Sequence, residues 1–227
     1  MSPFKPRLDI LPPPQRRLWD ELRDVPADFV LHGGTAIALH LGHRASIDFD
    51  FFGDRPFDPV ELVRGIPFMA EATITQMEPG TLSAYVNRDG MVKVSFFEVA
   101  ETPRLKPPLI APDNGLQVAS LLDLAGMKAK VVLQRAEAKD YLDIDALLTS
   151  GGLDLPTALS AAQAIYGKSY APLSTLKALS YFDDGNLRQL SEAVKSRLVK
   201  AAREVDLNDL PAILPRRNND SDKEPSR

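Results

Sequence analysis

A chain of 227 residues with 44% hydrophobic content can bury a substantial core, and 26% charged residues suits a globular protein of one large or two small domains. The absence of cysteine excludes a disulfide framework and any thiolate metal site. A formal net charge of −4 argues against a protein that coats nucleic acid, while leaving room for a local basic pocket. The opening MSPFKPRLDILPPP lacks the apolar stretch of a secretory signal, and no run approaches the ~18 apolar residues of a membrane span, so a cytoplasmic protein with no membrane partner is expected.

In chain order, QRRLWDELRDV places Leu18 and Leu22 at helical spacing and predicts a first helix over 14–24, with Pro14 near its start. DFVLH (28–32) reads as a strand, Gly33-Gly34-Thr35 as a turn, and AIALHL as a short helix ended near Gly42. His40 and His43 lie at that helix end with no cysteine or third histidine nearby, so they read as surface histidines rather than zinc ligands. SIDFDFF (46–52) alternates at strand period, and DPVELVRGI (58–66) is a small helix. ATITQM (72–77), TLSAYV (81–86) and MVKVSFFEV (91–99) are strands separated by the turn sequences EPG and NRDG. A proline-rich connector over 101–114 follows. Helices are then predicted over 119–135, 139–149, 156–166, 172–182 and 187–203. The expected organisation is an α/β core over 1–110, a helical region over 111–214, and a disordered tail over 215–227, where no large apolar residue remains beyond Leu214.

Two features of the first half carry chemistry. Asp48 and Asp50 are i and i+2 on a strand, so both point to one face, roughly 7 Å apart at Cα, while Ile47, Phe49 and Phe51 take the other. Two neighbouring carboxylates repel, and burying them without a partner is costly. A divalent cation resolves this: Mg²⁺, with Mn²⁺ as a substitute, takes oxygen ligands and completes its shell with substrate phosphates. Alone, Asp-Phe-Asp equally describes a strand with a solvent-facing edge, or the metal motif of a glycosyltransferase. Gly33 and Gly34 lie between a strand and a helix, where backbone N–H groups can approach an anion at the helix N-terminus. Alone, they equally describe a tight turn.

The combination is more specific. A strand, Gly-Gly, thirteen intervening residues and then Asp48-Phe49-Asp50-Phe51 resembles the signature of the DNA polymerase β-like nucleotidyltransferases. The fuller string GGTAIALHLGHRASIDFDFF is similar to the AbiEii/AbiGii toxin family within that superfamily. The resemblance implies an α+β fold: a polymerase β-like mixed sheet with flanking helices, followed by a C-terminal helical region. It implies that Gly33, Gly34 and Thr35 cradle a nucleotide triphosphate, with Arg44 as a further nucleotide-binding candidate, and that Asp48 and Asp50 are catalytic metal ligands.

The helix over 119–135 adds a second group. Projected at ~100° per residue, Leu121, Leu124, Ala125, Val131 and Val132 surround Lys128, whereas Asp123, Lys130 and Gln134 fall on the opposite, solvated side. Lys128 either snorkels or meets a buried anion. Arg135 falls seven residues on, under the same stripe. In the next segment Asp140 reads most simply as an N-cap, and Lys139 with Asp143 as an i,i+4 pair. Lys128 and Arg135 together could bind a polyphosphate; the order Lys128, Arg135, Asp140, Asp143 also resembles the AbiEii pattern, which implies that Lys128 contacts nucleotide phosphate and that Asp140 assists catalysis, for instance as a base. One departure stands out. Polymerase β-like enzymes carry a third carboxylate on a later strand; on MVKVSFFEV that position falls near Ser95, and Glu98 has the opposite parity. The alternatives are Glu98 brought round by a bulge, Asp140 in its place, or no third ligand at all, a departure that counts against two-metal catalysis.

The expected function is a metal-dependent nucleotidyltransferase that moves a nucleoside monophosphate from an NTP to an acceptor hydroxyl and releases pyrophosphate. The resemblance implies the toxin half of a toxin–antitoxin or phage-defence pair, with RNA or a tRNA end as acceptor and a separate antitoxin protein as partner. The alternatives are a catalytically degenerate nucleotide-binding protein acting by sequestration, a glycosyltransferase, and a purely structural protein.

Overall fold

A computed structural model of the chain describes residues 4–99 and 102–216. The expected tail falls outside the described residues from 217 onward. The architecture is α+β, as the motifs imply: a mixed seven-stranded sheet and, among the described residues, eight α-helices. The chain forms two compact units, one comprising residues up to 101 together with 108–120, the other comprising 102–107 and the chain from Leu121 on.

The first unit holds the sheet. Helix α1 (Pro13–Trp19) begins on proline at its first position, where a missing N–H costs nothing, and tightens after Trp19 into 3₁₀ turns over Asp20–Asp24. Strand β1 (Phe29–His32) is buried throughout. Helix α2 (Gly33–Leu41) follows without a linker and ends on Gly42 in the left-handed conformation, φ 66°. Next come β2 (Asp48–Gly53) and α3 (Pro59–Gly65), whose N-cap Asp58 accepts a hydrogen bond from Val60 N–H at 2.8 Å. The strands β3 (Thr73–Glu78), β4 (Thr81–Asn87) and β5 (Met91–Glu98) form a meander.

Two short strands interrupt the expected connector: β6 (Leu109–Ile110) and β7 (Gln117–Val118). Two residues each are too few to show a period, so no alternation could mark them. They belong to the sheet because Val118 pairs with Leu31, and because the segment is tied to Trp19. Asp113 accepts from Trp19 Nε1 at 2.7 Å, and Asn114 donates to the Trp19 carbonyl at 2.8 Å. Residues 111–120, placed with the helical region by their sequence, therefore lie in the sheet unit.

The strand order is β3-β4-β5-β2-β1-β7-β6. β2 runs parallel to β5 and β7 parallel to β1; every other pairing is antiparallel. One face packs aromatically. Phe96 lies 5.1 Å from both Phe51 and Phe29, and Phe49, Val94, Leu82 and Ala84 are fully buried on that side.

The second unit is helical: α4 (Leu121–Val131), α5 (Ala138–Thr149), α6 (Leu155–Tyr166), α7 (Pro172–Ala178) and α8 (Glu192–Arg203). Three of these are shorter than their sequences suggest. After Val131 the chain winds tighter, with Leu133 N–H bonding to the Lys130 carbonyl, so Arg135 lies beyond the helix. α7 stops at Ala178, and Leu187–Gln189 forms a separate 3₁₀ turn. The side expected to be solvated on α4 is largely covered. Asp123 is buried and accepts from the backbone N–H groups of Leu105 and Lys106, at 2.7 and 3.1 Å. Lys130 sits over the Tyr166 ring, 4.1 Å from its centroid. Helix projection sees one helix only, and the covering segments 102–107 and α6 arrive from elsewhere in the chain. α8 is bound to α5 by Arg197, which donates to both oxygens of Asp145 at 2.7 and 2.6 Å.

α4 and α6 meet backbone to backbone at Gly126, where a Cβ would lie 2.8 Å from the Ala161 carbonyl carbon and 2.9 Å from Ala162 N. Gly126→Ala should therefore destabilise the protein by about 1–3 kcal/mol through overpacking, despite alanine's better helix propensity. Urea unfolding of the two proteins checks this; equal midpoints would mean that the helices part freely.

Candidate active site

The sheet unit presents one polar face. β2 and β5 pair in unbroken register, Asp48 with Lys93, Asp50 with Ser95 and Gly53 with Glu98. Directly opposed residues point the same way, so Asp48, Asp50, Lys93 and Ser95 share a face, while Phe49, Phe51, Val94 and Phe96 share the core face. The neighbouring strands extend the stripe. His32 on β1 pairs with Asp50, and Ser83 on β4 pairs with Ser95, its hydroxyl bonded to that of Ser95 at 3.1 Å. Asp48 and Asp50 are half-buried, and Ser95 is fully buried.

Gly33 closes the face at one end. Its φ of +72° is a conformation that side chains rarely adopt, and a Cβ there would stand 2.9 Å from Asp50 Oδ2. The structure thus brings the glycine turn and the second aspartate together, with the N-terminus of α2 against the carboxylate. Gly34 follows as the second residue of α2. Thr35 is also there, but its hydroxyl faces inward: it donates to the Asp48 carbonyl and bonds the Ser46 hydroxyl at 2.8 Å. Its side chain fixes the start of α2 to the start of β2, leaving only its backbone for a ligand. Arg44, half-buried in the α2–β2 loop, donates to the Ala45 carbonyl at 3.0 Å.

Glu98 does not come round to this face. The β2–β5 ladder contains no bulge, so its parity stands opposite to Ser95, and its carboxylate lies by the β3–β4 turn, where a Cβ on Gly80 would be 2.8 Å from Glu98 Oε2. Among the described residues no cluster of three or more His, Cys, Asp or Glu side chains is arranged to hold a metal. His40, half-buried, bonds the Ala119 carbonyl through Nε2 at 2.9 Å and packs on Phe4; burial holds its imidazole below the ordinary value.

The helical unit brings its own four candidates together. Lys128, only 5% exposed, reaches Asp140 Oδ1 at 2.5 Å and Asp143 Oδ2 at 2.8 Å. Arg135 forks onto Asp140 from the other side, Nε to Oδ2 at 2.7 Å and a terminal nitrogen to Oδ1 at 3.0 Å. The buried anion expected for Lys128 is thus the chain's own. Asp140 is not an N-cap: Glu137 holds that position, and both Asp140 oxygens accept from Lys128 and Arg135. Nor do Lys139 and Asp143 pair, since Lys139 binds Glu137 at 2.9 Å. Burial pushes the Asp140 carboxyl up, but the hydrogen bonds from Arg135 and the charge and hydrogen bond of Lys128 outweigh it and hold the group below the usual carboxylate range. A carboxylate held this way is a poor proton acceptor. Its geometry suits positioning Lys128.

Sequence reasoning passed over Lys93, His32 and Ser83. Lys93 carried a readable signal: it is two residues before Ser95 and therefore on the same face. His32 and Ser83 depend on strand pairing, which no local pattern gives.

A strand, a glycine turn into a helix and a neighbouring strand bearing paired acids, on a mixed sheet flanked by helices, define a nucleotidyltransferase fold. The same fold is found in a solved structure, MenT4, a nucleotidyltransferase toxin from Mycobacterium tuberculosis H37Rv, with a TM-score of 0.58, 16% identity, and coverage of 85% of this chain and 84% of that one. An uncharacterized protein of Aquifex aeolicus (strain VF5) is 35% identical over 162 residues, 69% of this chain and 75% of its own length. Residues 17–216 match the family described as nucleotidyl transferase AbiEii toxin, type IV toxin–antitoxin system, and the chain belongs to that family. It is thus a member of a nucleotidyltransferase toxin family, which implies a nucleotide substrate and an antitoxin partner. Among the described residues no helix is long and apolar enough to cross a membrane.

Two outcomes are expected from this geometry. Gly33→Ala should displace Asp50 and strain the turn by about 1–2 kcal/mol, with a larger loss of nucleotide affinity than of thermal stability, measured by calorimetry beside a melting curve. Lys128→Met removes the cation that two buried carboxylates share, while Asp140 keeps Arg135, and should cost about 3–5 kcal/mol, part of it recovered in the triple variant with Asp140→Asn and Asp143→Asn. Because the folded Asp140 value is depressed, its contribution is full above the unfolded value near 3.9 and is lost as pH falls through the folded value. The gap in unfolding free energy between wild type and Asp140→Asn should accordingly be constant from pH 7 to about 5 and narrow below about 4.

Proposed function

We propose that the chain transfers a nucleoside monophosphate from an NTP to an acceptor hydroxyl of RNA, a tRNA end being the natural case, and acts as the toxin of a toxin–antitoxin pair held in check by a separate protein. The observation that carries the reading is the left-handed Gly33 turn set against Asp50, with Asp48 beside it on the same exposed-edged face. Two half-buried carboxylates offering hard oxygen donors suit Mg²⁺ or Mn²⁺. Such a cation, held by Asp48 and Asp50, would supply positive charge to the triphosphate and polarise the α-phosphate. Gly33 and Gly34 let the chain approach the phosphates at the start of α2. In the reaction the acceptor oxygen bonds to the α-phosphorus, the bond from that phosphorus to the bridging oxygen breaks, pyrophosphate leaves with the electron pair, and the hydroxyl proton passes to solvent. The Lys128–Asp140 pair is the second element on which the activity depends. Asp140 orients Lys128, and Arg135, whose side chain is 46% exposed, offers an edge for an anion.

Serine at position 95 favours one other reading, a protein that binds nucleotide without turning it over. Incubation with each labelled NTP, Mg²⁺ and total RNA separates the two. Transfer is expected to be lost by about 10²-fold or more in Asp50→Asn. Tight nucleotide binding with no label entering RNA would establish sequestration, and equal labelling by wild type and Asp50→Asn would remove both.

A further inference from the structure

Lys93 is on the same face as the two aspartates, across from Asp48, and half-buried. No ion pair joins either Lys93 or the Asp48 carboxylate to any group among the described residues. Strands lie about 4.8 Å apart, so this cation is a direct neighbour of the site. The adjacent position on β5 is Ser95, completely buried and bonded to Ser83, a neutral pair that brings no charge to the face. Two divalent cations about 3.5–4 Å apart can clamp the attacking and leaving oxygens, but a cation without carboxylate ligands of its own must take its oxygens from water and the substrate phosphates. This face has two acids and a lysine, with His32 of β1 beside Asp50.

We infer that the site works with one divalent cation, and that Lys93 supplies the remaining positive charge as a phosphate-binding catalytic residue. This rests on the nucleotide-transfer reading above. The charge balance favours it. Asp48 and Asp50 contribute −2, one divalent cation +2 and Lys93 +1, leaving a net +1 toward a polyphosphate. A second divalent cation would have to take its ligands from water and the phosphates themselves, with no further carboxylate on the face to hold it before substrate arrives. Lys93 is fixed to a central strand between β2 and β4, so its charge is placed before substrate arrives, and no second ion has to be recruited. The ammonium is a compact point charge with rotatable donors, suited to the non-bridging oxygens of the β- and γ-phosphates.

The test is a Mn²⁺ titration of the full chain, followed by electron paramagnetic resonance, in the presence of a non-hydrolysable NTP analogue. One Mn²⁺ per bound nucleotide is expected. Lys93→Ala should keep that count while weakening the triphosphate analogue 10- to 100-fold and the monophosphate far less, with Lys93→Arg restoring much of the difference. Lys93→Glu, which puts a third carboxylate on the face, should raise the count to two. Circular dichroism and melting curves confirm that each variant is folded. Two Mn²⁺ per wild-type complex would overturn the inference and leave nucleotide transfer standing, as would unchanged triphosphate affinity in folded Lys93→Ala. Absence of Mn²⁺ and nucleotide binding in wild type would remove nucleotide transfer itself, and this inference with it.

Discussion

The register of β2 against β5 is the constraint on which the site depends. Pairing Asp48 with Lys93 and Phe49 with Val94 sends every aromatic residue of β2 except Phe52 into the core and both acids to the other side. A slip by one residue would bury two carboxylates against Phe96 and expose Phe49 and Phe51, at a cost of several kcal/mol for each group. The hydrophobic effect that holds the sheet together therefore also aims the acids. Gly33 depends on the same register. The turn reaches Asp50 because β1 pairs His32 with that residue, and only glycine leaves room for the carboxylate.

The helical unit solves a different electrostatic problem. Lys128, Asp140 and Asp143 are almost wholly removed from water, and each charge would be strongly destabilising alone. Together with Arg135 they sum to zero. Such a cluster adds little net stability over a well-packed apolar core, since desolvation offsets most of the Coulomb attraction. What it does confer is fixed geometry: Lys128 has two acceptors, Asp140 three donor contacts, and the α4–α5 connection is held from both ends.

Much of this was legible in the sequence, for physical reasons that differ by element. Strand parity is strictly local, so the shared face of Asp48 and Asp50 follows from two residues of spacing. The Gly-Gly turn and the position of Ser95 are likewise local. Helix periodicity identified Lys128 as an apolar-face cation but could not say which anion it meets, because Asp140 and Asp143 arrive from another helix. The same limitation made Asp123 look solvated, when it caps the backbone of 105–106, and made Asp140 look like an N-cap. The two-residue strands β6 and β7 have no period to detect. Their place is set by Trp19, roughly a hundred residues earlier in the chain.

The position opposite Asp50 ties these threads together. A serine there is fully buried and hydrogen-bonded to a second serine on the next strand, so it is built into the sheet as a neutral element rather than left as a gap where an acid was removed. An aspartate in its place would have to be desolvated beside Asp50, with Ser83 as its one evident donor, and would repel its neighbour. The face avoids that repulsion and places a lysine two residues away, on the same side of the sheet as the aspartates. A neutral serine and a cation on one strand are therefore two parts of a single electrostatic arrangement.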